Sequence, residues 1–414
     1  MRTVTTIVVG AGQAGLAASR ALSEQGVEHL VLERGGVGHA WRKERWESLR
    51  MLTPNWANGL PGVPYWGPAP HGYMSALEFA ARLEAYAHTV HAPVQRDTRV
   101  ERAWRTPEGY RLQTSQGPLA CRTLIVATGA CQRARLPAVS AAVPADLVQI
   151  TPDRYRRPSD LPEGGVLVVG ASASGVQLAR EIQLSGRPVT LAVGGHTRLP
   201  RNYRGRDIEW WLDSIGALDV THEEIDDLER ARRTPSPQIM AGIEPVDLNA
   251  LQDIGVEIAG RLGDIRDGHA LFSGGLANAC ASADLKMTRL LRSVDAWIQD
   301  WGMGSFTPHA DVPAPTRLPA TPILRRSLTD GRIRSVLWTT GYAPDFSWLD
   351  LPAFDARGRL RHHGGVGVIP GLYVLGLPFL RRRRSHQISG VGGDARAIGA
   401  HLRSYLDSGA GLAA

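Results

Sequence analysis

The sequence predicts an α/β fold in which two strand–turn–helix units each begin a parallel, doubly wound sheet. A glycine-rich turn, Gly-Ala-Gly-Gln-Ala-Gly, occupies residues 10–15 and follows an apolar run at residues 6–9. A second turn, Gly-Ala-Ser-Ala-Ser-Gly, occupies residues 170–175 and follows an apolar run at residues 166–169. Helical patterns come after both turns, and strands that alternate with helices are typical of parallel sheets.

Each turn has the composition of a dinucleotide-binding site. The first glycine permits the tight turn, the second lets the backbone approach a pyrophosphate, and the third lets helix and strand pack closely. The N–H groups at the start of the helix then hold the anion. Glu33 ends the next apolar run, about 20 residues beyond the first turn, where a carboxylate binds ribose hydroxyls. We therefore expect two Rossmann-like domains, one for a flavin and one for a nicotinamide dinucleotide.

The second unit differs from the first at the end of its second strand. Residues 193–198 read Val-Gly-Gly-His-Thr-Arg and contain no acid. An arginine at this place suits the 2′-phosphate of NADP rather than the free ribose of NAD. The sequence therefore predicts that Arg198 binds this phosphate.

The order of the elements predicts a nested domain arrangement. A segment rich in proline and alanine, residues 132–163, lacks periodicity and is interpreted as a connection between domains. A last strand and helix after residue 370 are expected to return to the first domain. The predicted boundaries are residues 1–158 for the first part of the flavin domain, 159–342 for the nicotinamide domain with its insertion, and 343–414 for the C-terminal part of the flavin domain.

The composition excludes several classes of protein. The chain of 414 residues is 43% apolar and 21% charged, which is an ordinary globular balance. Its net charge is +7 and its basic residues are dispersed except for four arginines at residues 381–384, interpreted as a solvated loop. We therefore expect no nucleic acid partner. No apolar run reaches the length of about 20 residues that spans a bilayer, so no membrane association is expected.

The cysteines and histidines also limit the chemistry. The three cysteines include no Cys-x-x-Cys pair, so no dithiol relay is expected, and a reducing cytoplasm is the expected compartment. No spacing of cysteine and histidine resembles a zinc site, and the adjacent His362 and His363 are interpreted as surface residues. The sequence therefore predicts no metal centre.

Further motifs accompany the two turns. They are Gly-His-Ala-Trp-Arg at residues 38–42, Ala-Thr-Gly at 127–129, Trp-Thr-Thr-Gly-Tyr at 338–342, Gly-Leu-Tyr-Val-Leu-Gly-Leu-Pro at 371–378 and Gly-Gly-Asp-Ala at 392–395. With the turns, these motifs resemble the flavin-containing monooxygenase-like group of two-dinucleotide flavoproteins. The resemblance covers nearly the whole chain.

The resemblance implies two sets of cofactor-binding residues and assigns no catalytic residue. The set expected for FAD is Gly10, Gly12, Gln13, Ala14, Gly15, Glu33, Arg34, Trp41, Arg42, Val100, Thr128, Gly129, Gln387 and Asp394. The set expected for NADP is Gly170, Ser172, Ser174, Gly175, Arg198, Thr340 and Gly341. Residues near Asp394 would lie at a helix N-terminus, which stabilises negative charge on the reduced flavin.

The resemblance also implies an NADPH-dependent FAD monooxygenase that acts through a flavin C4a-(hydro)peroxide. The partners would be molecular oxygen and a small molecule oxygenated at nitrogen, sulfur or a ketone. Four tryptophans, Trp41, Trp46, Trp56 and Trp66, either wall an apolar pocket or simply pack in the core. The pocket interpretation predicts an apolar or aromatic substrate.

Two other functions remain open at this stage. One is an NAD(P)H-dependent flavoprotein reductase or dehydrogenase that does not oxygenate, and the other is a flavin-binding regulator without turnover. The linker before the second turn departs from the monooxygenase fingerprint. When the final aromatic of that fingerprint is aligned with Tyr155, Thr151 stands at its histidine. The oligomeric state is not predicted.

Overall fold

The first part of the chain builds a mixed sheet around a parallel centre. The computed structural model describes residues 1–409. Its first elements are β1 (Arg2–Val9), α1 (Gln13–Glu24), β2 (His29–Leu32), α2 (His39–Lys43), α3 (Ala76–Thr89), β3 (Val94–Gln95), β4 (Val100–Thr106), β5 (Gly109–Thr114) and β6 (Gly117–Val126). Strands β6, β1, β2 and β3 run parallel, and β4 and β5 form an antiparallel meander beside β6.

The middle of the chain builds a second sheet. Its elements are β7 (Arg133–Ala134), β8 (Val148–Ile150), β9 (Gly165–Val169), α4 (Ala173–Leu184), β10 (Val189–Val193), β11 (Asn202–Tyr203), β12 (Arg206–Asp207), α5 (Ile208–Ser214), α6 (Leu228–Arg232), α7 (Leu248–Asp253), β13 (Glu257–Gly260), β14 (Leu262–Arg266), β15 (His269–Phe272), α8 (Leu276–Asp300), β16 (Arg325–Ser327) and β17 (Ile333–Trp338). The strands β13, β10, β9, β17 and β8 lie side by side and all run parallel. Strands β14, β15 and β16 form a separate antiparallel sheet.

The last part of the chain returns to the first sheet. Its elements are β18 (Tyr342–Ala343), β19 (Leu349–Asp350), β20 (His362–His363), β21 (Val366–Gly367), β22 (Leu372–Val374) and α9 (Val391–Asp407). Strand β22 pairs with β6 and β19 pairs with β4, both in parallel. The predicted α/β fold with an inserted second unit is therefore confirmed. The exact boundaries stay a prediction, and residues 410–414 lie outside the described part of the chain.

Most elements of the inserted unit beyond β10 were not predicted from the sequence. Helix α8, with 25 residues, was not anticipated although its buried positions are spaced by three or four residues. These positions are Leu276, Cys280, Ala283, Met287, Leu291, Val294 and Ile298. The connection at residues 132–163 also contributes β8, which forms the edge of the second sheet. None of the described helices is long and apolar enough to cross a membrane.

Candidate dinucleotide sites

The first glycine turn leaves room beside the start of α1. A Cβ on Gly10, whose φ is +108°, would lie 2.6 Å from the Ala127 carbonyl oxygen, and one on Gly15 would lie 1.7 Å from the Gly10 oxygen. These two glycines are therefore required by the turn itself. A Cβ on Gly12 would meet nothing within 4 Å, so the space next to this helix N-terminus is open to a ligand.

The second turn repeats this geometry at the start of α4. A Cβ on Gly170 would lie 2.5 Å from the Thr339 carbonyl oxygen, and one on Gly175 would lie 1.9 Å from the Gly170 oxygen. Ser172 has φ −83° and ψ −176°, and Gly12 has φ −82° and ψ −172°. The hydroxyl of Ser172 makes no capping bond to its own helix. Both turns thus present the same backbone N–H cradle to an anion.

Glu33 is fixed at the end of β2 by the first turn. The Ala11 N–H donates to its Oε2 at 2.8 Å, and the Gly35 N–H donates to its Oε1 at 3.3 Å. Each carboxylate oxygen can accept more than one hydrogen bond. The side chain can therefore still receive ribose hydroxyls, as its placement in the sequence predicts.

Three residues of the set expected for FAD carry buried polar atoms without a partner. They are Oγ1 of Thr128, Oε1 of Gln387 and Oδ2 of Asp394. Burial also raises the pKa of Asp394 to about 6. Buried polar atoms normally have hydrogen-bond partners. The residues present therefore fit a large polar cofactor, whose atoms would supply the missing partners.

Several other members of the FAD set are explained by the backbone. Gln13 and Ala14 begin α1, and Val100 is the first residue of β4. Gly129 has φ +81°, and a Cβ there would meet nothing within 4 Å. A Cβ on Gly376 would lie 2.8 Å from Cβ of Ala14, so this glycine of the 371–378 motif packs against the first turn although it was not among the expected site residues.

The remaining FAD candidates make contacts with other parts of the first domain. Trp41 packs edge-on against Phe79 of α3, with ring centroids 5.0 Å apart. Arg42 donates to the Ala80 carbonyl at 3.3 Å, and Arg34 pairs with Glu44. Their contact with the flavin stays a prediction.

Arg198 does not face an open phosphate site, which corrects the sequence-based expectation. Its side chain is only 3% exposed and forms ion pairs with both Asp247 and Asp284. Its Nε donates to Asp247 Oδ2 at 2.9 Å and its Nη1 donates to Asp284 Oδ1 at 2.7 Å. These two acids are 49 and 86 residues away along the chain, so the local sequence around Arg198 did not indicate these ion pairs.

A different arginine stands beside the end of β10. Arg261 follows β13, and Gly260 of β13 is in register with Val193 of β10. A Cβ on Gly194 would lie 3.8 Å from Cγ of Arg261. The Arg261 side chain is exposed, and its guanidinium forms no ion pair or hydrogen bond within residues 1–409. This guanidinium is therefore available to a ligand at the strand end where Arg198 was expected to bind the 2′-phosphate.

The other NADP candidates surround the second turn in different ways. Ser174 lies in the first turn of α4. The hydroxyl of Thr340 donates to the Arg135 carbonyl, and Gly341 has φ +88° with open space at its Cβ position. Thr339, which was not singled out, braces the turn because its hydroxyl donates to the Gly170 carbonyl at 2.9 Å.

The fingerprint positions in the linker have structural roles. The N–H groups of Arg154 and Tyr155 both donate to the Thr151 carbonyl at 2.9 Å. The Tyr155 hydroxyl donates to Oε1 of Glu181 at 2.9 Å, and its ring is fully buried in the second domain's core. The surviving tyrosine thus anchors the linker to α4.

A cavity of about 330 Å³ lies between the inserted unit and the first domain. Its walls include Trp56, Leu60 and Pro61 from the first domain, Glu209 from α5 and Gly392 from α9. Trp56 alone among the four tryptophans lines this cavity. The other three are packed on Phe79 (Trp41), buried in the core (Trp46) or exposed (Trp66). Of the four tryptophans considered as walls of an apolar pocket, only Trp56 therefore has this role in the cavity.

Glu209 was not anticipated as a site residue. It is 8% exposed, and its carboxylate forms no ion pair or hydrogen bond in the described chain. Burial raises its pKa to about 7, and the nearby carboxylate of Asp207 adds to the shift. Such a group can hold or release a proton near neutral pH.

Two sheets with parallel centres, each with an anion-binding glycine turn after one of its central strands, are typical of an oxidoreductase with two dinucleotide sites. The sequence profile of the family described as pyridine nucleotide-disulphide oxidoreductase matches residues 7–216, and the chain belongs to this family. All three cysteines are free thiols, two of them buried. The chain therefore has no paired dithiol for the disulphide chemistry that the family's description names.

Known proteins resemble the chain over almost its whole length. It is 29% identical over 400 residues to an uncharacterized CzcO-like oxidoreductase of Geobacillus kaustophilus, covering 95% of this chain and 97% of that protein. A flavin-containing monooxygenase from Stenotrophomonas maltophilia matches with a TM-score of 0.69 at 20% identity, covering 98% of this chain and 100% of the other. The structure of OTEMO in complex with FAD and NADP matches with a TM-score of 0.57 at 16% identity, covering 98% and 86%. The predicted class, a two-dinucleotide oxidoreductase with a flavin monooxygenase-like fold, is confirmed, and OTEMO, a solved protein of this fold, was determined with FAD and NADP bound.

Proposed function

We propose that the chain is an NADPH-dependent FAD monooxygenase that transfers oxygen to a small, largely apolar molecule. The observation that carries the proposal is the pair of turns with equivalent backbone geometry at Gly12 and Ser172, in a chain whose three cysteines are all free. Electrons from a nicotinamide would then leave the flavin to a diffusible acceptor rather than to a disulfide. The fold shared with a named flavin-containing monooxygenase supports molecular oxygen as that acceptor.

The chain's own residues bind and orient the two cofactors. The first turn and Glu33 would hold the pyrophosphate and a ribose of FAD, and Thr128, Gln387 and Asp394 would bond to it with their unpartnered atoms. When bound, FAD accepts a hydride from NADPH and in its reduced form activates oxygen. The N-terminus of α9 carries a partial positive charge that favours negative charge nearby.

The preference for NADPH is assigned to Arg261. In a Rossmann-like unit the 2′-phosphate lies near the end of the second strand, here β10. Arg261 is exposed, free of acidic partners and adjacent to Gly194 at that strand end. Arg198 is neutralised by two carboxylates and closed to solvent. Of these two arginines, Arg261 therefore suits the phosphate.

The cavity at Trp56 and Glu209 is proposed as the place of the organic substrate. Its volume of about 330 Å³ is suited to a small molecule. Trp56, Leu60, Pro64 and Leu218 would contact the apolar body of the substrate, and the charged residues Asp213, Arg384 and Arg396 line the cavity together with Glu209. The Glu209 carboxyl would bond to its polar group, so an amine or a related donor is favoured over a purely apolar compound.

The pH dependence of stability tests the state of Glu209. Because its pKa is raised from 4.5 to about 7 in the folded chain, the unfolded chain loses this proton at lower pH than the folded one. The contribution of Glu209 to stability therefore falls as the pH rises from about 4.5 to about 7 and is constant above that. We expect Glu209→Gln to raise the melting temperature relative to the native chain progressively across this window. Glu163→Gln, at an exposed position, serves as the control, and equal shifts at pH 5 and pH 8 for both variants would contradict the buried, protonated state.

Oxygen labelling distinguishes the proposed function from its alternatives. The purified protein would be incubated with NADPH, ¹⁸O₂ and a panel of amines, sulfides and ketones. One labelled oxygen atom in an organic product is expected, together with consumption of NADPH. NADPH consumption that gives only hydrogen peroxide would identify a reductase, and bound FAD without NADPH consumption would identify a non-catalytic flavoprotein.

A further inference from the structure

Outside the dinucleotide sites, the fold brings together three side chains that can bind a metal. His222 and Glu223 lie between α5 and α6 in the inserted unit, and His363 ends β20 in the C-terminal part. One ligand atom from each of the three lies within 4.8 Å of the others. The two imidazole rings meet edge to face with centroids 5.2 Å apart.

His222 already has the tautomer that a metal ligand needs. Its Nδ1 lies 3.0 Å from the Arg381 carbonyl oxygen, which can only accept a hydrogen bond. Nδ1 therefore donates this hydrogen bond, which leaves the lone pair on Nε2 in the neutral ring. This Nε2 is buried and has no hydrogen-bond partner. A backbone carbonyl that fixes one ring nitrogen is the usual support of a histidine that binds metal through the other.

We propose that His222, Glu223 and His363 form a site for a divalent transition-metal ion such as Zn²⁺. Two imidazoles and one carboxylate are ligands that zinc accepts, with a water at the fourth position. His222 is held by Arg381, whereas Glu223 and His363 are exposed. The two exposed side chains can therefore rotate toward His222 to reach the bond lengths of about 2.0–2.2 Å that zinc requires.

Arginines line the same pocket as His363, and two of them, Arg232 and Arg359, are paired with acids. Arg382 is paired with Asp219 at 3.3 Å, and Arg381 donates to the Gly364 carbonyl at 3.0 Å. Glu223 supplies one negative charge directly, and the buried Asp394 carboxyl interacts electrostatically with His222. Binding of the ion would therefore leave the existing contacts of Arg381 and Arg382 in place.

A bound ion would strengthen an existing connection between the two parts of the chain. The His222 N–H donates to the Arg381 carbonyl at 2.9 Å, and the Arg383 N–H donates to the Val220 carbonyl at 3.0 Å. The metal would add a link from the inserted unit to β20. This role is structural and does not depend on the proposed oxygenation.

Zinc titration of the full-length holoprotein, first treated with a chelator, tests the site. Calorimetry is expected to show one high-affinity Zn²⁺ per chain, weakened about tenfold or more in His363→Ala. Zn²⁺ should also raise the melting temperature of the native chain and not that of His363→Ala, because only a ligand of the folded state stabilises it. Mg²⁺, which prefers oxygen ligands, should not compete.

The control separates this site from general binding to surface histidines. His309 is exposed and lies outside the cluster, so His309→Ala should bind Zn²⁺ like the native chain. His363 is also exposed, and its replacement should leave the folded structure intact by circular dichroism. Absence of stoichiometric Zn²⁺ binding, or equal affinity in the native chain and His363→Ala, would overturn the proposal.

Discussion

Replacement of Arg198 by alanine is expected to lower the melting temperature by roughly ten degrees and to leave the choice between NADPH and NADH unchanged. The variant would leave Asp247 and Asp284 without their shared cation in a half-buried place. Breaking a buried ion pair by removing one partner costs about 3–5 kcal/mol. Each kcal/mol shifts the midpoint of a domain of 150–250 residues by about 2–4 °C. Thermal melting of the two proteins, followed by circular dichroism, measures this loss.

Arg261→Ala is the matched variant in the same experiment. Arg261 is exposed and unpaired, so its removal should change the melting temperature little. A charge-assisted hydrogen bond is worth about 1.5–3 kcal/mol, so the preference for NADPH over NADH should fall by roughly ten- to a hundredfold. The reverse result, with coenzyme preference lost in Arg198→Ala and kept in Arg261→Ala, would restore Arg198 as the phosphate ligand.

The fold could be predicted because its signals are local. The glycine turns need particular residues at fixed spacing, since a Cβ on Gly15 or Gly175 would collide with the backbone of its own turn. The four residues before the first turn and all five residues of β9 before the second turn are buried, and both stretches are rich in β-branched and apolar residues. The two strand ends that carry Thr-Gly are also equivalent in the structure, because the Ala127 carbonyl lies beside the first turn and the Thr339 carbonyl beside the second.

The rest of the site could not be predicted because it depends on contacts between distant segments. Arg198 has the residue type of a phosphate ligand, but Asp247, which caps α7, and Asp284 of α8 neutralise it. Glu209 looks like an ordinary acid of a helix's first turn until the fold buries it. His222 and His363 belong to different parts of the chain, so sequence spacing gave no sign of a shared site. Helix α8 is a different case, since its spacing of buried residues was readable and was overlooked.

Replacement of Gly12 by alanine is expected to release FAD without destabilising the apoprotein. The backbone at Gly12, with φ −82° and ψ −172°, is accessible to alanine, and the added methyl group would meet no protein atom within 4 Å. The methyl group would instead enter the space proposed for the pyrophosphate. Displacement of even one charge-assisted hydrogen bond would weaken FAD roughly ten- to a hundredfold. The FAD content after purification and the dissociation constant of the reconstituted flavin measure this effect.

Two other glycines make the interpretation of Gly12→Ala unambiguous. Gly304 also has open space at its Cβ position and lies in the inserted unit, so Gly304→Ala should keep both stability and FAD. Gly15→Ala would place its methyl group 1.7 Å from the Gly10 oxygen and should unfold the turn, with loss of stability as well as flavin. Gly12→Ala can lose FAD without losing stability only if the cofactor occupies the open space beside Gly12. If Gly12→Ala binds FAD as tightly as Gly304→Ala does, the pyrophosphate does not pass this turn.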